Sequence, residues 1–231
     1  MIKENIALLL HPSLRGRSFI QNMYRRSLIP SEILLMGGVL SDSSIPPNIE
    51  AKGYFDPYEH PLSTLKKNKI NFDLVPSLDC NDKEVLAKVK SLKSKWVIFT
   101  GGGILRKPIL SLGKNFIHVH PGKLPQYRGS TCFYYSFINE GNCFCSAFIM
   151  ENTLDSGEIL FTKEYKPPGN IDFDFVYDPW IRSDTICDLI ESIDFNNAPD
   201  TTINSEKESE MYYIIHPVLK HLAIMKNNEQ L

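Results

Sequence analysis

Asp82-Lys83-Glu84-Val85-Leu86-Ala87-Lys88-Val89-Lys90-Ser91-Leu92-Lys93-Ser94-Lys95-Trp96-Val97-Ile98-Phe99-Thr100 sets a helical period directly before an apolar run. From Asp82 to Lys93, Val85, Leu86, Val89 and Leu92 share one helical face, and Asn81 or Asp82 supplies an N-cap. Trp96 to Thr100 then reads as a strand. Working outward, further strands are predicted at Ile6 to His11, Glu32 to Gly38, Phe72 to Val75 and Phe116 to His120, with another helix at Arg17 to Ser27. Strands alternating with helices predict an α/β fold built on an open, mostly parallel sheet. Ser41 to Pro61, rich in Ser, Pro, Gly and Asn, reads as a long loop near the sheet's carboxyl edge.

Downstream, Cys143 to Met150 and Glu158 to Tyr165 read as two more strands, antiparallel to each other. The aromatics Phe133, Tyr134, Tyr135 and Phe137 read as the buried face of a helix and not as a stacking platform for bases. After Lys166-Pro167-Pro168-Gly169-Asn170 the texture changes to a helix from Ile181 to Ile193, a polar stretch and a final apolar segment, Met211 to Met225. We expect a catalytic unit over residues 1–168 and a helical or irregular appendage over 169–231 that packs on the same domain. The Tyr212 to Leu222 segment reads as packing, and an exposed apolar face there could make a homodimer contact.

The 231 residues, 42% of them hydrophobic, suffice for a globular core. A net charge of −2 argues against a nucleic-acid partner, which needs clustered excess Lys and Arg. The apolar run after the N-terminus stops at His11-Pro12, too short for a signal sequence or a span, so a cytoplasmic protein without a membrane partner is expected. Five cysteines with no C-x-x-C pair fit reduced thiols, with Cys143 and Cys145 sharing one strand face.

The chemistry gathers after the fifth strand, in Phe116-Ile117-His118-Val119-His120-Pro121-Gly122-Lys123-Leu124-Pro125-Gln126-Tyr127-Arg128-Gly129-Ser130. Residues two apart on a strand share a face, so His118 and His120 project together beyond the sheet edge where open α/β folds bind ligands. Pro121, Gly122 and Pro125 end the strand, and Gly129 permits a turn. Asp155, in the Gly-containing loop between the next two strands, is placed to meet an imidazole.

This block resembles the folate-dependent formyltransferase family, in which an Asn-x-His strand end precedes a Leu-Pro-x-x-Arg/Lys-Gly loop and a later Leu-Asp-x-Gly loop. His120-Pro121, Leu124-Pro125-Gln126-Tyr127-Arg128-Gly129 and Leu154-Asp155-Ser156-Gly157 match in order, and Gly101 to Leu110 is similar to the stretch that holds the pterin ring. The resemblance implies a Rossmann-like sheet of the formyltransferase type. It also implies transfer of a formyl group from N10-formyltetrahydrofolate to a primary amine on a small molecule, with no metal. By it, His118, His120 and Asp155 are the catalytic residues, and Gly103, Ile104, Leu105, Asn152, Thr153 and Leu154 bind the folate. Lys123, Gln126, Tyr127 and Arg128 are its candidate acceptor contacts. The family's Asn falls on His118, where an imidazole in a donating form would have to replace the amide at the formyl oxygen.

Relative to family members, we expect no room for the β-barrel of methionyl-tRNA formyltransferases or the regulatory domain of formyltetrahydrofolate hydrolases. His11-Pro12-Ser13-Leu14-Arg15-Gly16-Arg17-Ser18 stands where the glycinamide ribonucleotide enzymes carry a Gly-Ser-rich phosphate loop. A nucleotide-linked amino sugar of surface polysaccharide synthesis is the expected acceptor. Arg15, Arg17, Arg25 and Arg26 would either meet its diphosphate or form the solvated face of the first helix. Two alternatives stand beside this reading: a metal-dependent hydrolase using His118, His120 and Asp155, and a folate- or sugar-binding protein on a degenerate scaffold.

Overall fold

A computed structural model describes residues 2–38, 45–51, 53–197, 199–205 and 209–228. Its main sheet contains β1 (Ile2–Leu10), β2 (Ile29–Met36), β3 (Asp73–Val75), β4 (Trp96–Phe99), β5 (Asn115–His120), β7 (Cys143–Ile149) and β8 (Ile159–Tyr165), in the order β3-β2-β1-β4-β5-β7-β8. The first five strands are parallel, while β7 pairs antiparallel with both β5 and β8. The fold is therefore mixed α/β with a mostly parallel sheet, and the two late strands pair as the sequence suggested.

The unbroken apolar runs follow from burial on both faces. Along β1, Leu8 and Leu10 join one core cluster while Ala7 and Leu9 join the other; along β4, Ile98 joins the first and Val97 and Phe99 the second. Helix α1 (Leu14–Arg25) supplies Phe19, Ile20 and Met23 to the first face, and α3 (Lys83–Ser91) supplies Val85 and Val89 to the second. Helix α1 begins three residues before the expected Arg17 because Ser13 caps it, accepting from the Gly16 amide. Strand β1 likewise begins at Ile2, four residues early; Asn5, with φ 60°, ties this bulged start to Lys95 and Phe195.

Two short helices were not foreseen, and one long helix is displaced. Helix α2 (Pro61–Lys67) has His60 as cap and Pro61 in its first turn, and α4 (Lys107–Leu110) is a single turn. Helix α6 (Asp178–Ser192) starts three residues before the expected Ile181 and follows a π-helical turn, Phe173–Tyr177. Aromatic helix α5 (Cys132–Glu140) buries Phe133, Tyr134 and Phe137 as expected, with Tyr135 partly buried.

Residues beyond 168 enter the main core, where Phe173, Tyr177, Ile181, Ile186, Leu189 and Ile190 pack with the sheet. Helix α6 also lies on α1 through Ser18 Oγ with Ser183 Oγ at 2.8 Å and through Arg26 ion pairs with Asp184, Asp188 and Glu191. Strands β6 (Tyr127–Gly129) and β9 (Glu210–Tyr212) form a separate parallel pair, and α7 (Pro217–Asn228) closes the described chain. On and before α7, Tyr213, Ile214 and Val218 are exposed while Ala223 is buried. Part of the Ser41 to Pro61 loop reading, residues 41–44 and 52, lies outside the described residues. All five cysteines are free and buried, and among the described residues no helix is long and apolar enough to cross a membrane.

Strand order reverses between β1 and β4: the chain winds outward to β2 and β3, then returns to β4 and continues to β5. Such a switch opens a crevice at the carboxyl ends of the two strands, where ligands of open α/β sheets bind.

Candidate active site

A cleft lies beside this crevice, at the carboxyl ends of β4 and β5. Its wall is formed by Phe99, Gly103, Ile104, Leu105, His118, Phe148, Met150, Glu151, Asn152, Thr153, Leu154 and Asp155. Its cavity volume is about 210 Å³, below the ~300–1,000 Å³ range of sites that enclose a whole drug-sized ligand. All six residues expected to bind folate therefore line one cavity, with His118 and Asp155. Gly101, Gly102 and Gly103 have φ of 105°, 100° and 143°, so this backbone takes a path open to glycine and leaves its peptide groups unscreened by side chains. Phe99, Ile104, Leu105, Phe148 and Met150 make much of the lining apolar, and Glu151, Asn152, Thr153 and Asp155 add polar groups, a combination that fits a flat heterocycle with polar rims.

His118 is half-buried between Phe99 and Phe148, with ring centroids 6.0 and 6.1 Å away. Its Nδ1 lies 3.1 Å from the Phe99 carbonyl oxygen, so Nδ1 must carry the proton and donate. Burial, followed by the nearby charges of Arg182 and Arg15, pushes its pKa down to about 3. The ring is neutral near pH 7, and Nε2 is a lone pair. This is the opposite of the donating imidazole expected to replace the family's Asn: in this ring position His118 accepts a hydrogen bond at the cleft and does not give one.

His120 is only 2% exposed and sits behind the cleft wall. Its Nε2 donates to the Tyr127 carbonyl at 2.9 Å, and Nδ1 faces Asp155 Oδ1 at 3.4 Å. Both ring nitrogens therefore face acceptors, the Tyr127 carbonyl and the Asp155 carboxylate. Asp155 Oδ2 accepts from the Gly129 amide at 2.8 Å. Burial raises the Asp155 pKa, but the His120 hydrogen bond and charge, with the Gly129 N–H, outweigh it and hold the carboxyl below its usual value. The sequence thus brought His120 and Asp155 into contact across 35 residues, with the carboxylate on the cleft side.

The loop after β5 is built on Ser146 of β7. Its hydroxyl, fully buried, donates to the Gly122 carbonyl at 2.8 Å and accepts from the Leu124 amide at 3.0 Å. Of the loop residues expected at the acceptor, none lines the cleft. Lys123 lies over the Phe144 ring, Tyr127 is buried, and Arg128, 4% exposed, donates from Nη2 to Asn204 O and Oδ1 at 3.0 and 2.8 Å. Gln126 is exposed. Asn204 also donates to the Asp155 carbonyl at 2.9 Å; no sequence signal marked it.

Among the arginines of α1, Arg17 donates to Pro57 O at 2.6 Å, Arg25 to the carbonyls of Gly53 and Tyr54, and Arg26 is held by three carboxylates. Arg15 makes no hydrogen bond among the described residues. Its guanidinium lies 3.0 Å from where a Cβ on Gly101 would sit, at the β1/β4 crevice. The charge of Arg182, then burial, lowers its pKa to about 10, against a raising effect of Asp178. Arg182 itself is anchored to Asp178 Oδ1 and to the Val119 carbonyl, both at 2.8 Å. Among the described residues no group of three His, Cys, Asp or Glu side chains could hold a metal ion, so the hydrolase alternative has no ligand set.

No family model matches the chain. In sequence it is 27% identical over 113 residues to the methionyl-tRNA formyltransferase of Finegoldia magna, covering 48% of this chain and 36% of that protein. The alignments with curated relatives, all methionyl-tRNA formyltransferases, span 28–46% of those proteins' own length. In structure it is similar to a sugar N-formyltransferase from Shewanella sp. FDAARGOS_354, with a TM-score of 0.54 and 16% identity over 96% of this chain and 87% of that one. It is also similar to a sugar 3-N-formyltransferase solved in the presence of dTDP and 5-N-formyl-THF, with a TM-score of 0.54 and 14% identity over 92% of this chain and 70% of that one. In sequence the chain is thus similar to methionyl-tRNA formyltransferases over about half of its length, and it shares its fold with sugar N-formyltransferases.

Proposed function

We propose that this chain transfers a formyl group from N10-formyltetrahydrofolate to the primary amine of a small molecule. The reading rests on one observation: a cleft whose wall combines a Gly-run backbone and an apolar lining with Asp155, itself 3.4 Å from a buried imidazole. Folate would lie against residues 103–105 and 152–154. The attacking amine would give a hydrogen bond to the His118 Nε2 lone pair, keeping its own lone pair aimed at the formyl carbon. As the carbonyl oxygen turns negative, it would share the Nδ1–H of His120, whose contact with Asp155 is long at 3.4 Å. Asp155 balances the imidazolium and takes part in moving the amine proton as the tetrahedral intermediate collapses.

For the acceptor, a nucleotide-linked amino sugar is the reading that Arg15 supports. Its guanidinium lies at the switch-point crevice, near enough to His118 to depress that residue's pKa, which suits an acceptor carrying phosphate beside its amine. The testing experiment incubates the protein with N10-formyltetrahydrofolate and a panel of amino-sugar nucleotides, following tetrahydrofolate release and product mass. A formamide product that Arg15→Gln makes with a KM raised about tenfold or more supports both parts. Transfer to amines without phosphate at equal efficiency would remove the sugar-nucleotide part, and no transfer to any amine would remove the whole.

A further inference from the structure

Both neighbours of the His120 ring nitrogens, the Tyr127 carbonyl and Asp155, are held in place by residues 202–205 and 209–215, none of which lines the cleft. Thr202 pairs with Ile159 at the start of β8 through two backbone hydrogen bonds of 2.8 and 2.9 Å. Two residues on, Asn204 donates from Nδ2 to the Asp155 carbonyl and accepts Arg128 Nη2 at both its own oxygens. Asp155 has φ of 50°, a left-handed conformation that a non-glycine residue keeps only when its surroundings fix it. Beyond residues 206–208, which lie outside the described residues, β9 pairs in register with β6, so Glu210 N donates to Gln126 O at 3.0 Å and Ser130 N donates to Tyr212 O at 2.9 Å. Tyr212 stacks on Tyr127 at 5.2 Å. Gly129 makes this closeness possible, since a Cβ there would stand 2.1 Å from the Tyr212 carbonyl oxygen.

We propose that Asn204 is a positioning residue for the reaction: by tying Arg128 to the Asp155 carbonyl it sets the Asp155 carboxylate against His120. This inference rests on the reading of His120 and Asp155 as the reactive pair. Arg128 then acts at the loop's interior and not on the acceptor. Loss of Asn204 frees the Asp155 peptide to leave its left-handed conformation, and the carboxylate moves with it. A displacement of about 1 Å at such a group costs on the order of 100-fold in rate.

The test compares wild type with Asn204→Ala and Asn204→Asp. Aspartate keeps an acceptor for Arg128 and loses the donor to the Asp155 carbonyl. Two readouts are taken: kcat and KM for N10-formyltetrahydrofolate, and the ¹⁵N and proton resonances of the His120 ring, which need no substrate. Both variants are expected to lose about 10-fold to 100-fold in kcat with donor KM within about twofold, and to shift or broaden the His120 Nδ1–H signal. The Arg128→Gln/Asn204→Ala double variant should be no worse than the poorer single one. A full kcat and an unmoved His120 signal in Asn204→Ala, or full activity in Asn204→Asp, would overturn the proposal. If wild type transfers no formyl group at all, the functional reading falls, while the His120 spectra still decide whether Asn204 sets the pair.

Discussion

Replacing Asp155 by asparagine separates chemistry from folding more sharply than any other single change at this site. Asp155 is 9% exposed and holds two partners, the Gly129 amide at 2.8 Å and His120 Nδ1 at 3.4 Å. An asparagine of the same shape keeps an oxygen for the Gly129 N–H and turns its NH₂ toward Nδ1. His120 can meet that donor as the neutral tautomer, with Nε2–H still on the Tyr127 carbonyl. Every hydrogen bond then has a neutral replacement, so stability changes by only about 1 kcal/mol. What disappears is the ion pair: His120 presents a lone pair at Nδ1 where the oxyanion needs a proton. Loss of one such donor costs about 2.7–4 kcal/mol of transition-state stabilisation, roughly a 100-fold to 1,000-fold fall in kcat. The assay is tetrahydrofolate release under saturating donor, with circular dichroism and thermal melting run in parallel. Turnover within about threefold of wild type in a folded Asp155→Asn protein would refute the assignment of Asp155 and His120 as the reactive pair, since loss of an oxyanion donor should cost far more.

His120→Ala should match that loss in kcat, and near-normal turnover there would remove the histidine from the mechanism. The His118 ring should show the neutral Nδ1–H form by ¹⁵N spectroscopy across pH 5 to 8, and an imidazolium signal at pH 6 would contradict the neutral-acceptor role. Its linkage to stability follows from the sign of the shift. The folded pKa of about 3 lies below the ordinary 6.5, so the unfolded chain binds the extra proton. Stability therefore falls as pH drops from about 6.5 toward 3, by at most ~1.4 kcal/mol per pH unit from this group, and chemical denaturation at several pH values in wild type and His118→Asn measures it. Asp155, with a folded pKa below 3.8, stabilises above that value and loses its contribution only as pH falls further, through the folded pKa. Ser146→Ala leaves the Gly122 carbonyl and Leu124 amide unpaired in a fully buried place, which should destabilise by about 1–3 kcal/mol and lower Tm on the order of 5 °C; an unchanged Tm would show that the loop does not depend on this hydroxyl.

The sheet was legible because its physics is local and repetitive. Strands β1 and β4 are apolar at every position since helices cover both faces, and α3 carries its buried valines at helical spacing behind an Asp82 cap. The cleft was legible through motif order, with Gly103 to Leu105 and Asn152 to Asp155 on one wall. What escaped depends on atoms far apart in the chain. The donor or acceptor character of His118 is decided by a carbonyl on Phe99, 19 residues away, and by Arg15 and Arg182 from two different helices. Strands β6 and β9 are three residues each, too short for any period to show, and their pairing spans the chain from Tyr127 to Glu210. Arg128 was expected at the acceptor, but its buried partner is the backbone and side chain of Asn204. The early start of α6 did have a signal, Pro179 in the first turn after Asp178, which the wider apolar pattern masked.

On the proposed function, residues 103–105 and 152–155 hold a formyl-bearing folate. Titration calorimetry with 5-formyltetrahydrofolate tests this without any acceptor: one site per chain is expected in the wild-type protein and at least a tenfold weaker one in Leu105→Arg, which puts a charge among the apolar lining residues. Absence of binding to the wild type, or equal binding to both, would contradict it.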